Sequence, residues 1–127
     1  MLVGHVVNRS VPTAHPGDDV RSAARMLLEC RCGVLPVVEE DDRGPRVVGL
    51  LGYRDAFAAT YPRSDAAAIP VAAAMSAPRC TCRASDSLGL ALRLLRCTGT
   101  EAVAVVDGDG YLVGVLSLAD LVRDAAG

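Results

Sequence analysis

The stretch AVAVVDGDGYLVGVL, residues 102–116, decides the fold of this chain. Two apolar, valine-rich runs, at 102–106 and 112–116, stand on either side of the turn sequence DGDG at 107–110. Short β-prone runs that flank an Asp-Gly turn are typical of a β-hairpin. We therefore expect this stretch to form two antiparallel strands.

An earlier stretch repeats the pattern. The runs VLPVV at 34–38 and VVGLL at 47–51 flank the polar connection EEDDRGPR. Val37 lies 68 residues before Val105, but Val48 lies 65 residues before Val113, because the first connection is three residues longer than its counterpart DGDGY. Length changes of this kind are tolerated in surface turns. The sequence therefore contains an internal repeat.

Each predicted hairpin lies between two predicted helices. Apolar residues recur at helical spacing from Asp18 to Arg31, with Asp18 as the expected N-cap, and the same face returns from Leu88 onward. The second helices are predicted at 53–60 and 118–125. Short strands are expected near Pro12-Thr13 and Arg79-Thr81, so each repeat is predicted to be β-α-β-β-α.

The predicted class is α/β (α+β), with two repeats packed in pseudo-twofold symmetry. We divide the chain into a first repeat at 1–61, a linker at 62–74 that contains Pro62 and Pro70, and a second repeat at 75–127. A chain of 127 residues fits one domain and buries roughly two-thirds of the surface that its unfolded form exposes. The two repeats are therefore expected to form one domain together.

The composition limits the possible functions. The chain is 51% hydrophobic and 22% charged with a net charge of -2, which is typical of a soluble globular protein with no partner chosen by bulk charge. Aromatic residues make up 3%, too few for the stacking platforms of single-strand nucleic-acid binders. No apolar run is long enough to span a membrane and no export signal is visible. We expect a cytoplasmic protein with neither membrane nor nucleic-acid partners.

The five cysteines are an odd number, which argues against a secreted disulfide framework. The pairs Cys30-x-Cys32 and Cys80-x-Cys82 allow an alternative, in which four thiolates bind a metal or sense redox state. Structural zinc sites usually have at least two residues between paired ligands, so the spacing favours buried free thiols that act as small hydrophobic side chains. We expect no metal.

The repeat resembles the CBS (cystathionine β-synthase-type) domain family, whose repeats carry a G-h-P-V-V run and end with G-h-h-[S/T]-x-x-[D/N], where h is hydrophobic. The first repeat has GVLPVV at 33–38 and GLLGYRD at 49–55. The second has EAVAVV at 101–106 and GVLSLAD at 114–120. The resemblance covers about residues 5 to 125, and two copies in the same order make it specific.

The resemblance implies a function as well as a fold. In related proteins, clefts between paired repeats hold AMP, ADP, ATP or S-adenosyl compounds. We therefore expect a regulatory module that binds an adenine nucleotide, is not an enzyme, needs no cofactor and forms a homodimer. The alternative is a ligand-free module for dimerisation or protein interaction.

The resemblance also implies the site residues. Asp120 is expected to accept hydrogen bonds from the ribose hydroxyls, with Ser117 one turn earlier, while Asp55 and Arg54 are their counterparts in the first repeat. Residues expected to flank the adenine are Thr13, Leu35, Cys80, Thr81 and Val103. Because Gly52 replaces the usual Ser or Thr, we expect the second copy to bind more strongly.

A simpler explanation exists for the two aspartates. An acidic residue in the first turn of a helix offsets the helix dipole by roughly 0.3–1 kcal/mol. Asp55 and Asp120 could therefore act only in helix stabilisation, with Ser117 as an N-cap.

Overall fold

The computed structural model describes residues 1–61, 69–78 and 81–126. A short 3-10 helix, Val3–His5, lies near the N-terminus. The described elements then follow in the order α1 (Val20–Cys30), β1 (Val34–Asp41), β2 (Gly44–Gly52), α2 (Tyr53–Thr60), α3 (Val71–Ala74), β3 (Thr81–Cys82), α4 (Leu88–Thr98), β4 (Ala102–Val106), β5 (Leu112–Ser117) and α5 (Leu118–Ala126). The predicted α/β class is confirmed.

The hairpins form as predicted, but the first is longer. β1 and β2 remain paired through Glu39–Arg46, Glu40–Pro45 and Asp41–Gly44, so only two residues form the turn. The connection EEDDRGPR was therefore wrongly predicted as a loop. The charged side chains of this connection are exposed. The strands therefore remain paired beyond the part of the hairpin that packs on the core.

The caps of the first helices correct another prediction. Asp19, not Asp18, is the N-cap of α1, and its carboxylate accepts the Arg21 amide at 2.9 Å. Asp18 instead closes the preceding turn by accepting the His15 amide at 2.8 Å. The second repeat divides the roles in the same way: Asp86 accepts the Arg83 amide at 2.8 Å, and Ser87 caps α4.

Two sheets hold the strands of the described residues. β1 and β2 form one, while β3 lies parallel to β4 in a second sheet with β5. The short strand expected at Pro12-Thr13 is reduced to a single parallel bridge between Ala14 and Val37. Its counterpart falls partly outside the described residues, which resume at Thr81.

The segments that precede α1 and β3 each pack on the other repeat. Val3 is fully buried in the core of the second repeat with Cys82, Ala91 and Leu95. Val71, in α3, is fully buried in the core of the first repeat with Leu27. Two backbone hydrogen bonds join Asn8 to Val115, at 2.9 and 3.0 Å, and two of 2.9 Å join Ser76 to Leu50. We call this arrangement the segment exchange.

The proposed linker, 62–74, is covered only from residue 69, and its first part, including Pro62, lies outside the described residues. Its described end belongs to the fold, because Val71 fills the core of the first repeat. The boundaries of the repeats and linker remain a prediction.

The segment exchange explains one glycine of each repeat. A Cβ atom on Gly114 would overlap the Asn8 carbonyl oxygen and lie 2.8 Å from Val7 Cγ2. A Cβ atom on Gly49 would overlap Met75 Sδ and lie 3.2 Å from the Ser76 carbonyl oxygen. Both strands therefore need glycine where the exchanged segment crosses them.

The tips of the two hairpins also meet. The Val47 amide donates to the Gly110 carbonyl oxygen at 3.0 Å. Arg43 donates to Asp109 Oδ2 at 2.7 Å and lies over the Tyr111 ring, 4.7 Å from its centroid. The Tyr111 hydroxyl donates to Asp41, which lowers the pKa of that carboxyl. These exposed contacts fix the orientation of the repeats more than they add stability.

Candidate functional site

Two adjoining clefts lie where the repeats meet. We call the motifs GLLGYRD at 49–55 and GVLSLAD at 114–120 the first and second signatures. Each cleft combines one signature with the junction between the first helix and the first hairpin strand of the other repeat. The larger, of about 870 Å³, contains the first signature, and the smaller, of about 300 Å³, contains part of the second. We name them the Asp55 cleft and the Ser117 cleft.

The signature side of the Asp55 cleft centres on the Asp55 carboxylate at the start of α2. Its Oδ2 accepts the Gly52 amide at 2.9 Å, and its Oδ1 accepts the Ser76 hydroxyl at 2.8 Å. Arg54 lines the same cleft. The cleft therefore offers a carboxylate, a hydroxyl and a guanidinium to a ligand.

The opposite wall of the Asp55 cleft comes from the end of α4 and the start of β4. The Thr98 and Thr100 hydroxyls are 2.8 Å apart, and Thr100 donates to the Ala102 carbonyl oxygen at 3.2 Å. Val103, one of the predicted adenine contacts, also lines this wall. The wall thus joins a polar corner to an apolar strand.

Of the predicted pair Ser117 and Asp120, only Ser117 lines the Ser117 cleft, and both residues are already engaged within the protein. Ser117 is only 4% exposed, and its Oγ accepts the Asp120 amide at 3.1 Å, which caps the first turn of α5. Asp120 Oδ1 accepts Arg123 Nη1 at 3.1 Å, while the Asp120 side chain is 18% exposed. A ligand at Asp120 would have to share the carboxylate with Arg123.

The opposite side of this cleft includes Arg31 and Gly33, and two thiols flank Arg31 in sequence. Cys30 Sγ accepts the Cys32 amide at 3.3 Å, and Cys32 Sγ donates to the Cys30 carbonyl oxygen at 3.3 Å. Burial, the Cys30 thiol and the Asp120 charge raise the pKa of Cys32 to about 12. Cys32 is therefore a neutral thiol at physiological pH and a poor nucleophile.

Burial together with the Asp86 charge raises the pKa of Cys82 to about 11. The described residues contain no group of three or more His, Cys, Asp or Glu side chains that could hold a metal ion. Cys80, which belongs to the alternative four-thiolate site, lies outside them.

Three residues line both clefts: Gly33, Tyr53 and Glu101. Glu101 stands at the position that Gly33 has in the first repeat, and it carries a negative charge where the clefts adjoin. Its carbonyl oxygen accepts the Leu118 amide at 2.9 Å, which ties the start of α5 to β4. The clefts are thus built on common residues.

The structure brings some of the predicted site residues together and separates others. Arg54, Asp55 and Val103 share the Asp55 cleft, and Ser117 lines the other. Leu35 is fully buried in the core. Neither Leu35 nor the partly buried Thr13 and Thr81 is among the residues lining these clefts.

Sequence reasoning missed several residues that line the Asp55 cleft: Ser76, Thr98, Thr100 and Glu101. The repeat offset of 68 places Thr98 and Thr100 at the positions of Cys30 and Cys32, which were not predicted to contact the ligand, so the repeat gave no signal for them. Ser76 has no signal either, because its approach to Asp55 depends on the segment exchange.

None of the helices in the described ranges is long and apolar enough to cross a membrane. The described residues thus form two similar α/β repeats with ligand-sized clefts at their junction. The CBS domain family matches residues 3–61 and 71–127, and the chain belongs to that family.

Solved structures agree on the fold. The protein AcuB from Vibrio cholerae is 20% identical, with a TM-score of 0.85 over 99% of this chain and 90% of that one. The CBS domain pair of protein MJ0100, in complex with 5′-methylthioadenosine and S-adenosyl-L-methionine, is 22% identical, with a TM-score of 0.82 over 100% and 97%. CBSX2 in complex with AMP is 28% identical, with a TM-score of 0.80 over 98% of this chain and 96% of that one. A second structure of CBSX2, from Arabidopsis thaliana, has the same identity and TM-score.

Proposed function

We propose that this chain is a cytoplasmic sensor that binds an adenine nucleotide (AMP, ADP, ATP or an S-adenosyl compound) between its repeats and catalyses no reaction. One observation carries the proposal: Asp55 and Asp120 stand at matched positions, in the first turns of α2 and α5. The AMP complex of CBSX2, a structural neighbour at 28% identity, supports the ligand class.

The residues of the Asp55 cleft suit a nucleoside. A carboxylate accepts charge-assisted hydrogen bonds from two ribose hydroxyls, which a neutral side chain does less well. Leu50, Met75 and Val103 provide apolar surface for a base, and Arg54 provides a cation for a phosphate. A volume of about 870 Å³ is within the range of small-molecule sites.

The first prediction tests the ligand. Protein purified natively is expected to release an adenine compound that mass spectrometry identifies. Adding that compound to ligand-free protein at one hundred times its dissociation constant should stabilise the fold by about 2.7 kcal/mol and raise Tm by several degrees. Inosine and guanosine analogues serve as controls, since a generic anion effect would stabilise equally with all three bases. No response to any adenine compound would contradict the proposal.

The alternative function, a ligand-free interaction module, is favoured by an exposed apolar face. Phe57 and Tyr61 at the end of α2 are 63% and 67% exposed and stack with their ring centroids 5.2 Å apart. Leu118 and Val122 on α5 are exposed in the same way. Tyr53 and Leu118, at the starts of α2 and α5, line the same cleft, so these helices present neighbouring surfaces.

The second prediction concerns the homodimer, which we assign to this α2/α5 face. The double variant Phe57→Glu/Val122→Glu is expected to be monomeric at tens of micromolar in sedimentation velocity, where we expect the parent chain to be dimeric. In a twofold dimer each substitution acts twice, and each buried apolar side chain contributes about 1.5–3 kcal/mol. Leu90→Glu, on a part-exposed residue of α4, is the control and should stay dimeric. A parent monomer, or dissociation by the control alone, would contradict this assignment.

A further inference from the structure

We propose that Ser76 is a ligand-binding residue, and that its hydroxyl supplies to the Asp55 cleft the group that the first signature lacks at Gly52. Ser76 and Asp55 would together bind the cis-diol of a ribose. The inference rests on the proposed function, because it names the residue that completes one of its two sites.

The geometry begins at the Asp55 carboxylate. Oδ2 is held by the Gly52 amide at 2.9 Å, which orients the group, and Oδ1 is held by the Ser76 hydroxyl at 2.8 Å. An ionised carboxylate only accepts hydrogen bonds, whereas a hydroxyl both donates and accepts. A ribose hydroxyl that donates to Oδ1 would therefore lie close to Ser76 Oγ. Because Ser76 Oγ donates its own proton to Oδ1, it can accept a hydrogen bond from the neighbouring ribose hydroxyl.

Two hydrogen bonds to β2 hold the main chain of Ser76 in place. The Ser76 amide donates to the Leu50 carbonyl oxygen and the Leu50 amide donates to that of Ser76, both at 2.9 Å. The Met75 side chain contacts Gly49, the residue before Leu50 on β2. The side chain itself is exposed and lines the cleft. The main chain of Ser76 is thus held beside β2, while rotation about its Cα–Cβ bond can turn the hydroxyl toward a ligand.

The matched position beside the second signature does not offer the same group. Asn8 pairs with Val115 as Ser76 pairs with Leu50, but its side-chain oxygen accepts the Ser10 amide at 3.0 Å. There the signature provides its own hydroxyl, Ser117, which is buried and caps α5. The two clefts therefore obtain a hydroxyl from different parts of the chain, and the exposed one is in the Asp55 cleft.

The test isolates this cleft by working in the Asp120→Ala background and uses AMP, 2′-deoxy-AMP and 3′-deoxy-AMP as probes in calorimetric titrations. Ser76→Ala is expected to weaken AMP binding by about fivefold, the usual effect of one neutral hydrogen bond, and to remove the preference for AMP over one of the two deoxy analogues. Ser76→Thr, which keeps the hydroxyl, should retain both.

The outcomes separate this inference from the function on which it rests. Unchanged or tighter AMP binding by Ser76→Ala would overturn it, since the hydroxyl would then only occupy the carboxylate in the absence of ligand. Equal affinity of the parent for AMP and both deoxy analogues would overturn it without any variant at position 76. If the wild-type chain binds no adenosine compound, the proposed function fails as well. Melting temperatures of both variants verify that they remain folded.

Discussion

Gly114→Ala is expected to destabilise the chain by about 3 kcal/mol, the upper part of the range for overpacked sites. The new methyl group would meet the Asn8 carbonyl oxygen and Val7 Cγ2 together. The first obstacle is a backbone atom that is paired with Val115, so it cannot turn away as a flexible side chain would. Urea unfolding should show a lower midpoint with an unchanged m-value.

Two further glycines provide matched controls. Gly89→Ala lies inside α4 with its nearest neighbour, Ser87 Oγ, at 4.0 Å, and should be neutral or stabilising by up to about 1 kcal/mol. Gly49→Ala should cost less than Gly114→Ala, because the side chain of Met75 can move aside. If Gly114→Ala and Gly89→Ala unfold at the same urea concentration, the proposed contact between Asn8 and β5 is wrong.

Asp120→Ala and Asp55→Ala are each expected to weaken adenine nucleotide binding by roughly ten- to hundredfold, the effect of losing charge-assisted hydrogen bonds worth about 1.5–3 kcal/mol. The signatures alone predict the larger loss at Asp120, because Gly52 lacks a hydroxyl. With the Ser76 hydroxyl included, we expect losses of similar size. Calorimetric titration with AMP, ADP and ATP measures both.

Two controls distinguish binding from helix capping. Arg123→Ala releases Asp120 from its ion pair and should leave nucleotide binding equal or tighter. Asp55→Asn and Asp120→Asn keep the size of the side chain and remove its charge. If capping is the only role of the aspartates, the alanine variants will melt slightly earlier and bind with unchanged affinity. A markedly smaller loss in Asp55→Ala than in Asp120→Ala would restore the ranking based on the signatures.

The elements of this fold could be predicted because their signals are local. The runs 102–106 and 112–116 are short, valine-rich and separated by an Asp-Gly turn, and the repeat supports the weaker first copy. The cap of α1 was displaced by one residue because Asp18 and Asp19 have the same chemistry, and only their backbone conformations separate turn from cap.

The candidate site could be predicted only in part, because half of each cleft comes from the other repeat. Asp55 and Arg54 could be named from the signature, and Val103 from the resemblance. Ser76 could not, since 21 residues separate it from Asp55 and no periodicity connects them. The need for glycine at positions 49 and 114 could not be predicted either, because it depends on tertiary structure: a segment distant in sequence crosses each strand there.

The segment exchange makes each repeat incomplete without its neighbour. A fragment ending at residue 61 would lack Val71, and one beginning at residue 75 would lack Val3, so either half alone would lose a fully buried side chain of its own core. A domain-swapped dimer of single repeats would have the same interlock. The tandem chain joins two such halves covalently, so each core always has the buried valine that the other half's segment supplies.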